Sequence, residues 1–354
     1  MVTPSVRALK RSFPDAYIYF ITGKSNKAVM ENNKYIDELI TIDDRVIFTG
    51  NIIERAKECL KLRKIIRGIK PSEAFILHRD WRYNLLFFLS GVKKRYGFKR
   101  DLKGLFLTNA VDTNAEEHET TKFYKVFSEK EGYGRDGFDM DLLPTALDRK
   151  TIDEYLGDRI KDKKAMIALA VGGALNVKEE MDIKRWGLDN YAKLLDRLLN
   201  GQCHVYLIGG HSDKKFSAEL VGNFKGYENS QLFDVTGEFS VAGTKYLLEK
   251  MDAMITHDCG PMHIGAAAKI PVIAIFGPTN PKELSPVTNS GSCYLWAGKE
   301  LPCCPCYRDG VFPECSYDNA CMKRITPDMV FEKLNEILRE SKESHYDMDV
   351  TGCC

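Results

Sequence analysis

The sequence predicts an α/β protein made of two doubly wound domains facing each other across a cleft. Short apolar runs of strand length alternate with amphipathic helical patterns along almost the whole chain. The alternation breaks once, over a polar region from Glu116 to Asp148, and then restarts. In the second half the strands are near-continuously apolar, as strands of a parallel sheet covered on both faces must be. At 354 residues the chain has room for two cores of ordinary size. These observations set domains at 1–150 and 151–340, followed by a loose tail over 341–354.

In chain order, "AYIYFI" (16–21), "ELITI" (38–42) and "EAFILH" (73–78) read as strands, with helical patterns near 4–12, 51–67 and 80–90. After the break come "AMIALAV" (165–171), "HVYLIG" (204–209), "LFDVT" (232–236), "AMIT" (253–256) and "VIAIF" (272–276). Helices such as "DNYAKLLDRLL" (189–199) lie between them. The last helix is expected to start with Thr326 as N-cap and Pro327 at its first position, since proline lacks the N–H that a first turn leaves unused.

A net charge of +1 argues against a general nucleic-acid binder, which would carry a dominant basic field. No apolar run reaches the roughly 20 residues that cross a bilayer, and the start lacks a signal-peptide core, so the chain reads as cytoplasmic. Several of the 11 cysteines, including Cys59 and Cys203, stand alone in apolar elements where a free thiol packs well.

"DCGPMHIGAAAKIPVIAIFGPTNP" (258–281) presents a strand end, a short turn and a helix opening at Gly260-Pro261. Helix N-termini expose unpaired N–H groups and a partial positive charge, and glycine allows close backbone approach, so this turn suits an anion. Asp258 stands at the same mouth, where open α/β sheets place ligands, and could accept hydrogen bonds from hydroxyls. Phosphate together with hydroxyls suggests a sugar nucleotide; a plain strand-to-helix turn is the alternative.

Together with "GGA" (172–174), "KRW" (184–186), "LIGG" (207–210), "DVTG" (234–237) and "CMKRITPDMV" (321–330), that stretch resembles glycosyltransferase family 9, the heptosyltransferases of lipopolysaccharide core assembly. "TPSVRALKRSFPDAYIYFI" and "ILHRDWRYNLLFFLSGVKKRYGF" in the first half are similar to the same family. The resemblance implies an inverting transferase of two Rossmann-like domains, a glycosyltransferase B-type fold. The amino-terminal domain would hold a lipopolysaccharide core or related glycan acceptor. The carboxy-terminal domain would hold a nucleotide-diphosphate heptose, ADP-heptose, without a catalytic metal or other cofactor. Peripheral contact with the inner membrane face is a further expectation.

Residue by residue, the resemblance implies that Lys184 neutralises the donor diphosphate, that Asp258 binds sugar hydroxyls, and that the backbone of Cys259 and Gly260 binds phosphate. Cys259 replaces the family's serine or threonine, which removes a hydroxyl contact and leaves the main-chain ones. His263 faces the phosphates or packs in its helix. Phe239 stacks on the base or packs in the core. Asp213 accepts from ribose hydroxyls, while Gly172, Gly173, Gly209 and Gly210 bring backbone close to the nucleotide or simply turn the chain.

On the acceptor side Arg79, Arg82, Lys93, Lys94, Arg95, Lys99 and Arg100 form a basic cluster suited to phosphates and carboxylates, or an ordinary solvated face. His118 is a further acceptor-site candidate. "DMD" (139–141) imitates a metal-binding motif but lies before Pro144 rather than at a strand end. Cys303, Cys306, Cys315 and Cys321 offer enough thiolates for a structural zinc, although their spacing is not that of paired knuckles; reduced thiols packing a loop are the alternative. The family opens with a strand, a glycine-rich loop and a general-base aspartate just before the equivalent of "VTPSVRALKRSFP". This sequence is expected to lack that first strand and carboxylate, which leaves a non-catalytic sugar-nucleotide or glycan binder as the alternative function. A sugar-nucleotide epimerase on the same scaffold is a third reading.

Overall fold

The computed structural model describes residues 1–99, 104–173, 180–227, 230–287, 291–307 and 312–350, the last ten by backbone alone. The chain divides into two compact units, the first built on Met1–Asp141 and the second taking up the chain from Leu142.

In the first unit β1 (Tyr19–Gly23) pairs in parallel with β2 (Glu38–Ile42), and β3 (Glu73–Ile76), β4 (Lys94–Phe98) and β5 (Asn109–Val111) form a second parallel sheet. The helices are α1 (Thr3–Ser12), α2 (Lys27–Met30), α3 (Asp44–Thr49), α4 (Ile52–Ile69), α5 (Trp81–Leu89) and α6 (Glu119–Ser128). Among the described residues no strand joins the two sheets; β1 and β3 line a common cavity of about 600 Å³, walled by Val6, Phe20, Ile21, Phe75 and Ile76. Helix α1 is buried from Thr3 to Leu9. Its Arg7 guanidinium holds the "DMD" stretch, donating to the Asp139 carbonyl at 2.6 Å and the Asp141 carboxylate at 2.5 Å. Those aspartates therefore fasten a connection to α1.

The second unit has one six-stranded sheet in the order β11 (Cys293–Trp296), β10 (Val272–Phe276), β9 (Ala253–His257), β6 (Met166–Ala170), β7 (His204–Leu207), β8 (Leu232–Asp234), all parallel. Its helices are α7 (Ala146–Leu156), α8 (Leu188–Asn200), α9 (Lys214–Val221), α10 (Val241–Leu248), α11 (Gly260–Ala268), α12 (Pro281–Leu284), α13 (Ala320–Lys323) and α14 (Pro327–Val350). Side chains alternate across a strand. Ile167, Leu169, Ile255 and Ile273 therefore enter one core with Leu194 and Leu198 of α8 and Leu334 of α14. Met166, Ala168, Met254 and Val272 enter the other with α7 and α10, through Ile152, Leu156 and Leu247. This two-sided burial is what the continuous apolar strands require.

Three short strands, β4, β5 and β11, add to those expected. Helix α14 begins at Pro327 as expected, with the Thr326 hydroxyl accepting from the Met329 N–H at 3.3 Å. It then runs to Val350, so the supposed loose tail from 341 is helical in backbone until Val350; no glycine or proline interrupts 328–350. Among the described residues no helix is long and apolar enough to cross a membrane.

Candidate functional site

In the second sheet β6 lies between β9 and β7, so the strand order reverses direction at β6. Ligands of open α/β sheets bind beyond the carboxyl ends of the strands at such a point. The loops that leave β6, β7, β9 and β10 there carry Gly172-Gly173, Gly209-Gly210, Asp258-Cys259 and Gly277-Pro278-Thr279.

Lys184 and Asp258 meet at this edge. The ammonium lies 2.8 Å from Asp258 Oδ2, and the side chains are only 10% and 6% exposed, so Lys184 is not a solvated surface lysine. The same carboxylate oxygen accepts from the Thr279 hydroxyl at 2.7 Å. Removing two charges from water is costly unless they are paired and hydrogen-bonded, and this pair is both.

Next to it, α11 starts with Cys259 at the N-cap, and no side chain caps the helix. Serine or threonine there could turn a hydroxyl onto the first-turn N–H groups. The thiol instead packs inward, 3.2 Å from the Thr256 hydroxyl, and burial pushes it up to about 11. His263 sits half-buried on the first turn of α11.

Asp213 fastens two loops. It is 6% exposed, and its carboxylate accepts from the Gly173 N–H at 2.7 Å and the Gly210 N–H at 2.8 Å. A Cβ at Gly209 would lie 2.9 Å from that carboxylate; one at Gly173 (φ +84°) would lie 2.8 Å from Cys259 Cβ. The glycines are thus needed for close packing of Asp213 and Cys259 as well as for turning the chain. Arg185 adds a third tie, donating to the Gly173 carbonyl at 2.9 Å and to Glu180 at 2.7 Å while its guanidinium stacks on Phe216.

His257, which ends β9 wholly buried, belongs to the same cluster. The Tyr191 hydroxyl lies 3.1 Å from its Nδ1 and donates to the Ala170 carbonyl at 3.0 Å. Burial, and then the Lys184 charge, pull the His257 pKa down to about 3 against the opposing effect of Asp258. The imidazole is neutral at physiological pH. Sequence reasoning missed His257, Tyr191, Arg185 and Thr279. Arg185 and Thr279 lie inside the motifs "KRW" and "GPTNP" and could have been found there, whereas nothing local marks a tyrosine in a helix. Phe239 packs edge-to-face on Tyr155, 5.3 Å between ring centres, beside the α7–α10 core.

In the first unit Arg79 and His118 meet at the start of α6. Arg79 pairs with Glu119 at 2.5 Å and lies over Phe98, while the His118 ring accepts from the Thr120 N–H at 3.2 Å as the helix cap. Arg82 is ion-paired with Asp80, the cap of its own helix. The expected basic cluster is not one continuous field. Arg95 is buried and bonded to the carbonyls of Val92, Lys93 and Phe106; Lys99 pairs with Asp112 at 2.8 Å; and Arg100 lies outside the described residues.

The zinc expectation for Cys303, Cys306, Cys315 and Cys321 finds no converged ligand set: among the described residues no three His, Cys, Asp or Glu side chains are placed to hold a metal ion. The thiols pack a loop instead. Cys303 and Cys304 sulfurs are 3.9 Å apart, Cys315 accepts from the Asn319 N–H at 3.2 Å, and Cys321 reaches Asn319 Oδ1 at 3.5 Å.

Residues 60–310 match the model of glycosyltransferase family 9 (heptosyltransferase). The chain is 25% identical to lipooligosaccharide heptosyltransferase 2 of Campylobacter jejuni over 347 residues, 96% of this chain and 95% of that protein. It is 22% identical to lipopolysaccharide heptosyltransferase 2 of Escherichia coli K12, over 95% of this chain and 94% of that one. Among solved structures it is similar to E. coli ADP-heptose lipopolysaccharide heptosyltransferase II, with a TM-score of 0.73 at 18% identity over 96% of this chain and 95% of that one. It is also similar to a family 9 glycosyltransferase from Veillonella parvula, with a TM-score of 0.74 at 19% identity over 96% and 93%. These likenesses show the glycosyltransferase B-type fold. By its family match the chain is a glycosyltransferase enzyme and belongs to glycosyltransferase family 9, the heptosyltransferases.

Proposed function

We propose that the chain transfers a heptose from ADP-heptose to a glycan acceptor of the lipopolysaccharide core type, in the cytoplasm, with inversion and without a divalent cation. The observation that carries this reading is the buried Lys184–Asp258 pair beside the helix N-terminus that no side chain caps. The donor diphosphate would lie on the backbone at Cys259 and Gly260, within reach of the Lys184 ammonium. That ammonium has three N–H donors and gives one to Asp258, so it can also address a phosphate oxygen. As the acceptor hydroxyl oxygen bonds to the anomeric carbon, losing its proton to solvent, and the bond from the sugar to the diphosphate breaks, negative charge grows on the leaving group. A fixed cation and a helix dipole stabilise that charge without reorganising, which lowers the barrier more than it stabilises bound substrate.

In this reading Asp258 accepts from sugar hydroxyls while Thr279 and Lys184 hold the carboxylate in place. Asp213 is a positioning residue whose carboxylate sets the Gly173 and Gly210 loops around the nucleotide, with Gly172 and Gly209 allowing the approach. Phe239 flanks the base. Arg79, Arg82 and His118 address the acceptor from the first unit. Calorimetric titration with ADP and with ADP-heptose in the presence of EDTA tests the donor half. Both should bind; if neither binds, the donor assignment is refuted.

A further inference from the structure

We propose that Cys304 and Cys321 form a reversible disulfide, and that this bond weakens donor binding through the two ties by which the cysteine loop holds the neighbours of Lys184 and Asp258. The inference rests on the donor reading above and adds a covalent modification site to it. Cys321 lies buried in the first turn of α13, with its sulfur 3.4 Å from where a Cβ on Gly277 would stand. Its thiol interacts directly with that of Cys304, whose sulfur is also 3.9 Å from that of Cys303. Cys304 is half-buried, so a small reagent reaches the pair from solvent.

The loop that carries these thiols is fastened on both sides of the Lys184–Asp258 pair. On one side the Cys306 N–H donates to the Pro278 carbonyl at 2.9 Å, and the next residue, Thr279, holds Asp258. On the other the Asn319 amide donates to the Ile183 carbonyl at 3.1 Å, next to Lys184, while its Oδ1 accepts from the Cys321 thiol at 3.5 Å. A disulfide has no S–H, so this last bond is lost when the link forms. The two sulfurs must also close to about 2 Å. Packing leaves little slack for that: a Cβ on Gly298 would lie only 2.9 Å from Cys304 Cβ. The chain at Cys306 and Asn319 therefore moves with the sulfurs. The oxidant is a low-molecular-weight disulfide. The Cys304 sulfur, its proton lost to solvent, attacks one sulfur of that disulfide and expels one thiolate; the Cys321 sulfur, deprotonated in turn, attacks Cys304 and expels the second. Two protein thiols are oxidised and one disulfide is reduced to two thiols. Burial pushes the thiols of Cys304 and Cys321 up from their ordinary value, so the exchange is slow near neutral pH.

Incubation of the reduced full chain with oxidised glutathione tests it. After alkylation of the remaining thiols, peptide mass spectrometry should find Cys304 linked to Cys321, the pair lighter by two hydrogens. Calorimetric titration should show ADP binding the linked protein about 2–10-fold more weakly than the reduced one, the net worth of one neutral hydrogen bond, with dithiothreitol restoring the affinity. Cys304→Ser cannot form the link and should keep the reduced affinity through the same treatment, which sets aside glutathione carried by exposed Cys59 or Cys315. If that variant melts below the wild type, Cys321→Ala serves in its place. No link between Cys304 and Cys321, a Cys303–Cys304 link instead, or a linked protein that binds ADP like the reduced one would overturn the proposal. A reduced chain that binds no ADP would refute the donor reading and the coupling with it, while the peptide map still decides whether the disulfide forms.

Discussion

Replacing Lys184 by alanine separates two effects of one ammonium group. In the free protein its partner Asp258 is 4% exposed and would be left charged, buried and without its cation, with only the Thr279 hydroxyl bonded to it among the described residues. Breaking a buried pair in this way costs about 3–5 kcal/mol, a large share of an ordinary domain's stability. In the donor complex the same variant also loses a charge-assisted hydrogen bond to phosphate. That contact is worth about 1.5–3 kcal/mol, or roughly 10–150-fold in ADP affinity. The double variant Lys184→Ala/Asp258→Asn distinguishes the two, because the neutral amide that replaces the carboxylate can still accept from Thr279 without needing a cation. It should recover most of the lost stability and none of the lost ADP affinity. Urea unfolding and calorimetric titration of ADP measure the two quantities on the same preparations. A single variant as stable as the wild type, or a double variant that binds ADP like the wild type, would show that the Lys184 ammonium does not have these two roles.

Asp213→Asn keeps one carbonyl acceptor but cannot receive both the Gly173 and Gly210 N–H groups as a carboxylate does; it should cost about 1–3 kcal/mol and weaken ADP binding, seen by the same two assays. His257 has a folded pKa of about 3 against an ordinary 6.5, so between those values the unfolded chain holds a proton that the native state does not. Its contribution is therefore complete above about pH 6.5 and falls as the pH is lowered, by up to about 1.4 kcal/mol per unit, and His257→Gln should flatten the slope of unfolding free energy against pH. With its thiol pushed up to about 11 and buried, Cys259 should stay unmodified by iodoacetamide near neutral pH while exposed Cys315 is alkylated; peptide mass spectrometry of the native protein reads both.

Much of the second unit was legible because its signals are local. "VIAIF" is fully apolar and "AMIT" is apolar up to Thr256, and both are strands at or within one residue of the expected ends. β4 was hidden by the charges of "KRYGF": its arginine is buried only because three carbonyls from nearby loops accept its N–H groups, which no periodicity announces. The same long-range pairing explains what the sequence left unseen at the sites. Lys184 and Asp258 were each identified, but their direct contact depends on how the sheet orders β6 and β9. Within the basic cluster Arg79 is paired with Glu119 and Arg82 with Asp80, of which only Asp80 is close in sequence.

Heptose transfer from ADP-heptose is the step on which the proposed function stands. Its most direct test is incubation of the protein with ADP-heptose and a lipopolysaccharide core acceptor, in the presence of EDTA, with ADP and acceptor mass measured together over time. ADP release should keep step with the gain of one heptosyl group by the acceptor. ADP-heptose that binds but remains intact, or ADP release with no change in acceptor mass, would contradict it.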